Sequence, residues 1–184
     1  MRIIGGSRRG KKLHSPRDLF IRPTADRVRE SVFNIICEHI SGAHVLDLFA
    51  GTGAMGMEAL SRGATDAVFI DNHPAAIKLI EKNIADCKWT AQASIIRWDI
   101  SRNLNCIKSP PDLYDLIFID PPYPLKLTAK ALKHLESTPA LADGAHLIVE
   151  HSRVDLINSE TTAFNLEDQR SYGKTLVSFL RYMV

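Results

Sequence analysis

The sequence predicts an α/β fold: a mostly parallel, seven-stranded sheet with helices on both faces, closed by a C-terminal β-hairpin. Three observations predict it. Short apolar runs alternate with segments of helical periodicity. A glycine-rich loop separates the first run from the helix that follows. Beyond Arg153 the alternation fades into two extended segments around Tyr172-Gly173.

Taken in order, Val28, Val32, Phe33, Ile35, Ile36 and Ile40 recur at helical spacing, predicting a helix from about Thr24 to Ile40 behind Pro23. His44 to Phe49 reads as a buried strand turning through Gly51 and Gly53 into a helix over Ala54 to Arg62. Ala67 to Asp71 and Ala75 to Asp86 repeat the strand and helix pair, and Ala93 to Arg97 and Leu116 to Asp120 supply the next strands. A loop is expected over Lys108 to Asp112, a helix over Lys126 to Ser137 and a fifth strand over Ala145 to Glu150. Thr162 to Glu167 and Thr175 to Met183 complete the hairpin. No linker separates a second folded unit, so residues 1–184 read as one domain, long enough to bury a conventional core.

The 45% hydrophobic and 24% charged fractions are those of an ordinary globular chain. No apolar stretch is long enough to span a bilayer and Met1 is followed by no apolar leader, so neither membrane anchor nor signal peptide is expected. Cys37, Cys87 and Cys106 are odd in number and unpaired in spacing, which argues against a disulfide framework or a zinc site and suits a reducing cytoplasm. The net charge of +2 hides an asymmetry, with +6 in residues 1 to 30 and −4 in the rest. A basic arm at about residues 1–23 is what phosphate neutralisation at one face requires, and a solvated terminus is the plainer alternative.

Two motifs carry chemistry. Val45 to Gly56 contains GxGxxG at Gly51, Gly53 and Gly56, where glycine permits positive φ and close approach of an adenosine cofactor. Asp47, four residues before Gly51, would repel a dinucleotide phosphate by roughly 1 to 4 kcal/mol per charge pair at about 4 Å, and so favours the cationic S-adenosylmethionine. Capping of the loop or helix is its alternative role. Asp71 stands where a carboxylate accepts ribose hydroxyls, and Asp99 where one accepts an adenine amine, with a helix cap and an Asp-Ile-Ser turn as the respective alternatives. Asp120-Pro121-Pro122-Tyr123 follows the fourth strand directly. An exocyclic base amine is a poor nucleophile because its lone pair is delocalised. Asp120 and the Pro121 carbonyl are acceptors for its hydrogens, while Tyr123 offers a stacking face. No metal is required.

DLFAGTG followed by DPPY resembles the Rossmann-like class I methyltransferases acting on adenine N6, cytosine N4 or guanine N2. The segments from Arg2 to Leu13 and from Arg22 to Asn34, with Glu150-His151 and Tyr172-Gly173, are similar to the bacterial RsmD-type family, and the likeness runs from Arg2 to about Arg181. That resemblance implies methyl transfer from S-adenosylmethionine to N2 of guanine 966 in 16S ribosomal RNA, in the small subunit or an assembly intermediate, by a cytoplasmic monomer. It places Phe33, Asn34, Asp47, Phe49, Ala50, Gly51, Gly53, Asp71, Asn72, Asp99 and Ile100 around the cofactor. Asp120, Pro121 and Tyr123 fall at the target base. Arg8, Arg9, Lys11, Lys12, Arg22, Thr24, Arg27 and Arg29 fall on RNA. The family pattern has Glu where this chain has Asp71 and a small residue where it has Trp98. Three other readings compete: a DNA adenine-N6 methyltransferase, an NAD-dependent oxidoreductase, and a noncatalytic RNA-binding module. The short chain lacks an evident DNA-recognition domain, the oxidoreductase leaves DPPY unexplained, and a binding module gives no reason for a carboxylate at Asp120.

Overall fold

The computed structural model describes residues 1–15, 26–108, 111–122, 127–153 and 163–183. The expected alternation is present: α1 (Asp26–Ile35), β1 (His44–Leu48), α2 (Ala54–Ser61), β2 (Asp66–Asp71), α3 (Pro74–Cys87), β3 (Ala93–Arg97), β4 (Tyr114–Ile119), α4 (Leu127–Glu136), β5 (Leu141–Ser152), β6 (Phe164–Tyr172) and β7 (Thr175–Tyr182). The seven strands form one sheet in the order β3-β2-β1-β4-β5-β7-β6. The first five are parallel, while β7 runs antiparallel to β5 and pairs with β6 as the hairpin.

Both faces of the central strands are dry, which explains their unbroken apolar runs. Val45, Phe69, Leu116 and Phe118 pack with Val32, Met57, Leu60, Ile80 and Ile84 from α1, α2 and α3 on one face. Leu46, Leu48, Ile117 and Ile119 pack with Leu104, Ile107, Ala131, Leu132 and Leu135, from α4 and the turn before β4, on the other.

Several boundaries differ from expectation. The first helix ends at Ile35, and a 3-10 turn over Cys37–His39 replaces its predicted last part. Ile36 and Ile40 stay buried, so the apolar spacing persists while the backbone tightens to enter β1. β6 runs on to Tyr172 through Glu167, Asp168, Gln169 and Arg170 because pairing with β7 holds an edge strand that has little apolar pattern of its own.

The largest difference is at the amino terminus. Residues 1–15 are not a loose arm. Arg2 and Lys12 form an antiparallel bridge, Ile3 and Leu13 are buried in the core, and the backbone is bound to side chains of α2 and α3. Gly6 makes this docking possible. It has φ +73, and a Cβ there would lie 1.8 Å from the Ser61 carbonyl oxygen. Gly6→Ala is expected to cost about 2 kcal/mol and expose the arm to limited proteolysis. Gly10→Ala is its control: φ is +84 but nothing lies within 4 Å of a Cβ, so only the backbone strain of about 1 kcal/mol remains. Equal melting temperatures for the two variants would show that the close approach is unimportant.

Candidate active site

The strand order reverses between β1 and β4, and in open α/β sheets ligands bind beyond the carboxyl ends of strands at such a point. Leu48 pairs with Ile70 on one side and Ile119 on the other, while Ile119 pairs with Val149. Phe49, Asp71, Asp120 and Glu150 therefore leave four neighbouring strands at one level. The glycine loop and Asp120-Pro121 flank the crevice at this switch point.

Phe49, Gly51 and Gly53 have φ of 59°, 57° and 75°. A left-handed phenylalanine is a costly outlier, and such strain gathers where a loop is shaped for a ligand. Gly56 is small for another reason: a Cβ would lie 2.5 Å from the Phe69 ring, so the third glycine lets α2 sit tightly on β2.

Asp47 is 3% exposed and its Oδ2 accepts the Gly56 N–H at 2.9 Å. It points under the first turn of α2, in the capping geometry that the sequence had left as its alternative role. Burial pushes its carboxyl up to about 8; the Gly56 N–H opposes this shift and the charge of Asp71 adds to it. The folded state therefore retains a proton between about pH 4 and pH 8 that the unfolded chain has lost, and stability falls as pH rises through that window. Asp47→Asn keeps an acceptor for Gly56 and carries no charge. Thermal melts should show the variant matching the wild type near pH 4 and exceeding it at pH 8 to 9. Parallel stability profiles would contradict a neutral buried Asp47.

Asp71 uses both carboxylate oxygens to shape the rim, Oδ2 accepting from Gly51 N at 2.9 Å and Oδ1 from His73 N at 2.8 Å. Each oxygen retains acceptor capacity for a further donor. Asn72 is exposed and its carbonyl accepts from Arg97 Nε at 3.4 Å. Asp99 makes the turn its sequence allowed. Its Oδ1 accepts from Ser101 Oγ at 2.6 Å and Ser101 N at 3.1 Å, and Arg102 Nε lies 3.1 Å from Oδ2. The Ser101 hydroxyl, foremost, holds this carboxyl below its usual range. Ile100 turns its side chain into the core beside Leu104 and Ile107, and Ala50 donates from its N–H to the Ile70 carbonyl at 3.1 Å.

Of the two α1 residues placed on the cofactor by resemblance, one is enclosed in the core. Phe33 has no exposed surface; it packs on Phe118 with ring centroids 5.5 Å apart, under the Arg62 guanidinium. It is a core residue because α1 presents it to the sheet. Asn34, next to it, faces outward. Asp120 is half-buried directly beyond β4, Pro121 is buried and Pro122 exposed; Tyr123 lies outside the described residues.

Arg8, Arg9, Lys11, Lys12 and Arg27 are exposed as an RNA-facing set requires, while Arg22 and Thr24 lie outside the described residues. Arg29 is a correction. It is 0% exposed, donates to the Arg2 carbonyl and to Asp26 at 3.1 Å, and has its Nε 3.6 Å from Glu58. A guanidinium closed off by this arm cannot meet phosphate. A cleft of about 440 Å³ lies between the arm and α1, lined by Arg2, Arg9 and Arg27 together with Asp26 and Glu30.

Sequence reasoning missed Glu58, Ser61 and Asn83, which tie the arm down. Glu58 accepts from Ile4 N, Gly5 N and Arg62 Nε at 2.8, 2.7 and 2.8 Å; Ser61 Oγ donates to Gly5 O at 2.6 Å and accepts from Arg8 N at 3.0 Å. Their signal was a carboxylate and a hydroxyl, three residues apart, inside the apolar helix AMGMEALS.

Known proteins share this chain's family and fold. The family model described as Conserved hypothetical protein 95 matches residues 1–181. Ribosomal RNA small subunit methyltransferase D of Escherichia coli (strain K12) is 39% identical over 150 residues, covering 82% of this chain and 74% of that protein. YlbH of Bacillus subtilis (strain 168) is 32% identical over 181 residues, 98% of each chain. The solved structure of yhhF from Escherichia coli superposes with a TM-score of 0.88 at 31% identity, covering 100% of this chain and 98% of that one. The chain belongs to the Conserved hypothetical protein 95 family, the RsmD-type class I methyltransferases.

Proposed function

We propose that this methyltransferase carries a methyl group from S-adenosylmethionine to N2 of a guanine in 16S ribosomal RNA, guanine 966 by family resemblance, and acts as a monomer on the small subunit or a precursor of it. The observation that carries the reading is the common level of the glycine loop, Asp71 and Asp120 beside the β1/β4 switch point. The name of the E. coli relative supports the ribosomal substrate, and the exposed Arg8, Arg9, Lys11 and Lys12 support a phosphate-bearing one.

The residues present fit that cofactor. The left-handed loop gives close backbone approach, and Asp71 has acceptor capacity for ribose hydroxyls. Asn72, Asp99 and the backbone around Ile100 complete the adenosine side of the crevice. When bound, the cofactor supplies an electrophilic methyl on a sulfonium. Asp120 and the Pro121 carbonyl accept the amine hydrogens of guanine, aligning the nitrogen lone pair, and Tyr123 stacks on the base. Asp120 takes up the proton that the amine loses after the methyl has transferred. Rate comes mainly from orientation, so a rigid Pro-Pro turn is the appropriate support.

The test is transfer of labelled methyl to small subunits lacking the modification, followed by nucleoside identification. N2-methylguanosine is expected. N6-methyladenosine, or its deoxy form on DNA, would keep the chemistry and overturn the substrate.

A further inference from the structure

The arm and the glycine loop, which the proposed function assigns to RNA and cofactor respectively, are joined most extensively through a buried side chain, Asn83. Asn83 on α3 is 0% exposed. Its Oδ1 accepts from His14 N at 2.7 Å, and its Nδ2 donates to His14 O and Thr52 O, both at 3.1 Å. The orientation of the amide is fixed by its partners, since one N–H and two carbonyls surround it and a flipped amide would set donor against donor and acceptor against acceptor. His14 lies in the docked arm, next to Leu13 of the core. Thr52 lies between the two left-handed glycines of the loop, is itself buried, and donates from its hydroxyl to Met1 Sδ at 3.5 Å. The same arm is hung on Glu58 and Ser61 of α2, the helix that the loop begins.

We infer that Asn83 is a positioning residue that makes occupation of the glycine loop and docking of the basic arm one coupled event. Any movement of the Thr52 peptide as the loop closes on its cofactor must be followed by Asn83, because leaving a buried amide or carbonyl without a partner is unfavourable. His14 then moves with it, and so do the lysines and arginines of residues 8 to 12. A cofactor that holds the loop in one pose therefore holds the phosphate-binding face of the arm in one pose. By linkage the effect is reciprocal: RNA on the arm tightens the cofactor by the same factor. This rests on the proposed assignment of loop and arm, and the experiment separates the two.

Binding of the RNA substrate is measured with and without saturating S-adenosylhomocysteine, in wild type and Asn83→Ala, and cofactor binding is measured independently by calorimetry. The wild type is expected to bind RNA about 10-fold tighter with S-adenosylhomocysteine present, and the variant to show a ratio near 1. A cofactor that binds without changing RNA affinity in the wild type, or a coupling that survives in the variant, overturns the inference and leaves the functional reading standing. Absence of cofactor binding to the wild type removes both. Should the variant not fold, hydrogen exchange on the wild type decides. The amides of Ile4, Gly5 and His14 should exchange more slowly when S-adenosylhomocysteine is bound, and unchanged exchange would overturn the coupling.

Discussion

Asp120→Ala is expected to reduce the single-turnover rate of methyl transfer by about 10² to 10⁴ while RNA affinity changes less than about twofold. Asp120 stands at the mouth of the crevice, level with Phe49 of the glycine loop because their preceding residues, Leu48 and Ile119, are paired. A guanine amine whose lone pair lies in the ring plane's π system has little density to offer a methyl carbon. In the proposed reaction Asp120 is an acceptor beside it that stabilises the pyramidal, partly positive nitrogen formed only in the transition state. Such an interaction raises kcat and leaves ground-state binding nearly untouched. The phosphate contacts assigned to Arg8, Arg9, Lys11 and Lys12 are elsewhere and are unaffected. A weaker RNA affinity at an unchanged rate would place Asp120 in binding and remove it from the chemistry.

The second large effect is on stability. Glu58→Ala is expected to cost about 3 to 5 kcal/mol, because it removes the charge that faces the buried Arg29. Arg29 Nε and Nη1 have no hydrogen-bond partner among the described residues, so Glu58, 3.6 Å from Nε, compensates them chiefly through charge. The same carboxylate also satisfies the Ile4 and Gly5 amides and Arg62. For a chain of this length the loss corresponds to a fall in melting temperature of about 10 °C. Glu58→Gln removes the charge and leaves one acceptor oxygen in place of two, its NH2 facing either the Ile4 N–H or the Gly5 and Arg62 N–H groups, and Arg29→Met removes the other partner. A double-mutant cycle between them isolates the ion pair, and a combined cost near the larger single cost is expected. Simple additivity would show that the two side chains do not interact.

The two variants separate chemistry from architecture, and the separation has a structural basis. The residues proposed for the reaction lie at the carboxyl edge of β1, β2 and β4. The buried polar side chains that hold the arm lie on the outer faces of α2 and α3. Asn83 reaches from the arm to the glycine loop through the Thr52 carbonyl.

The sequence by itself determined the sheet, the helices on both faces, the hairpin, the crevice and the family. Those features depend on local periodicity, on glycines needed for left-handed backbone and on motifs that keep neighbouring residues together, and all of these are properties of short windows. Only the tertiary structure decided what the charged amino-terminal segment does. A composition of +6 over thirty residues reads alike whether its arginines face water or lie under a folded arm. The family resemblance of the segment from Arg22 to Asn34 implied RNA for Arg29 and the cofactor for Phe33. Both are enclosed by partners 25 or more residues distant in sequence, Arg2 and Glu58 for the first, Arg62 and Phe118 for the second. Asp47 was legible as a strand-end carboxylate but its direction was not, since that depends on how α2 settles over β1 and β2 through Gly56. Burial of a polar group is decided by long-range packing. The hydrogen bonds and ion pairs that make such burial tolerable come from segments that no local pattern connects.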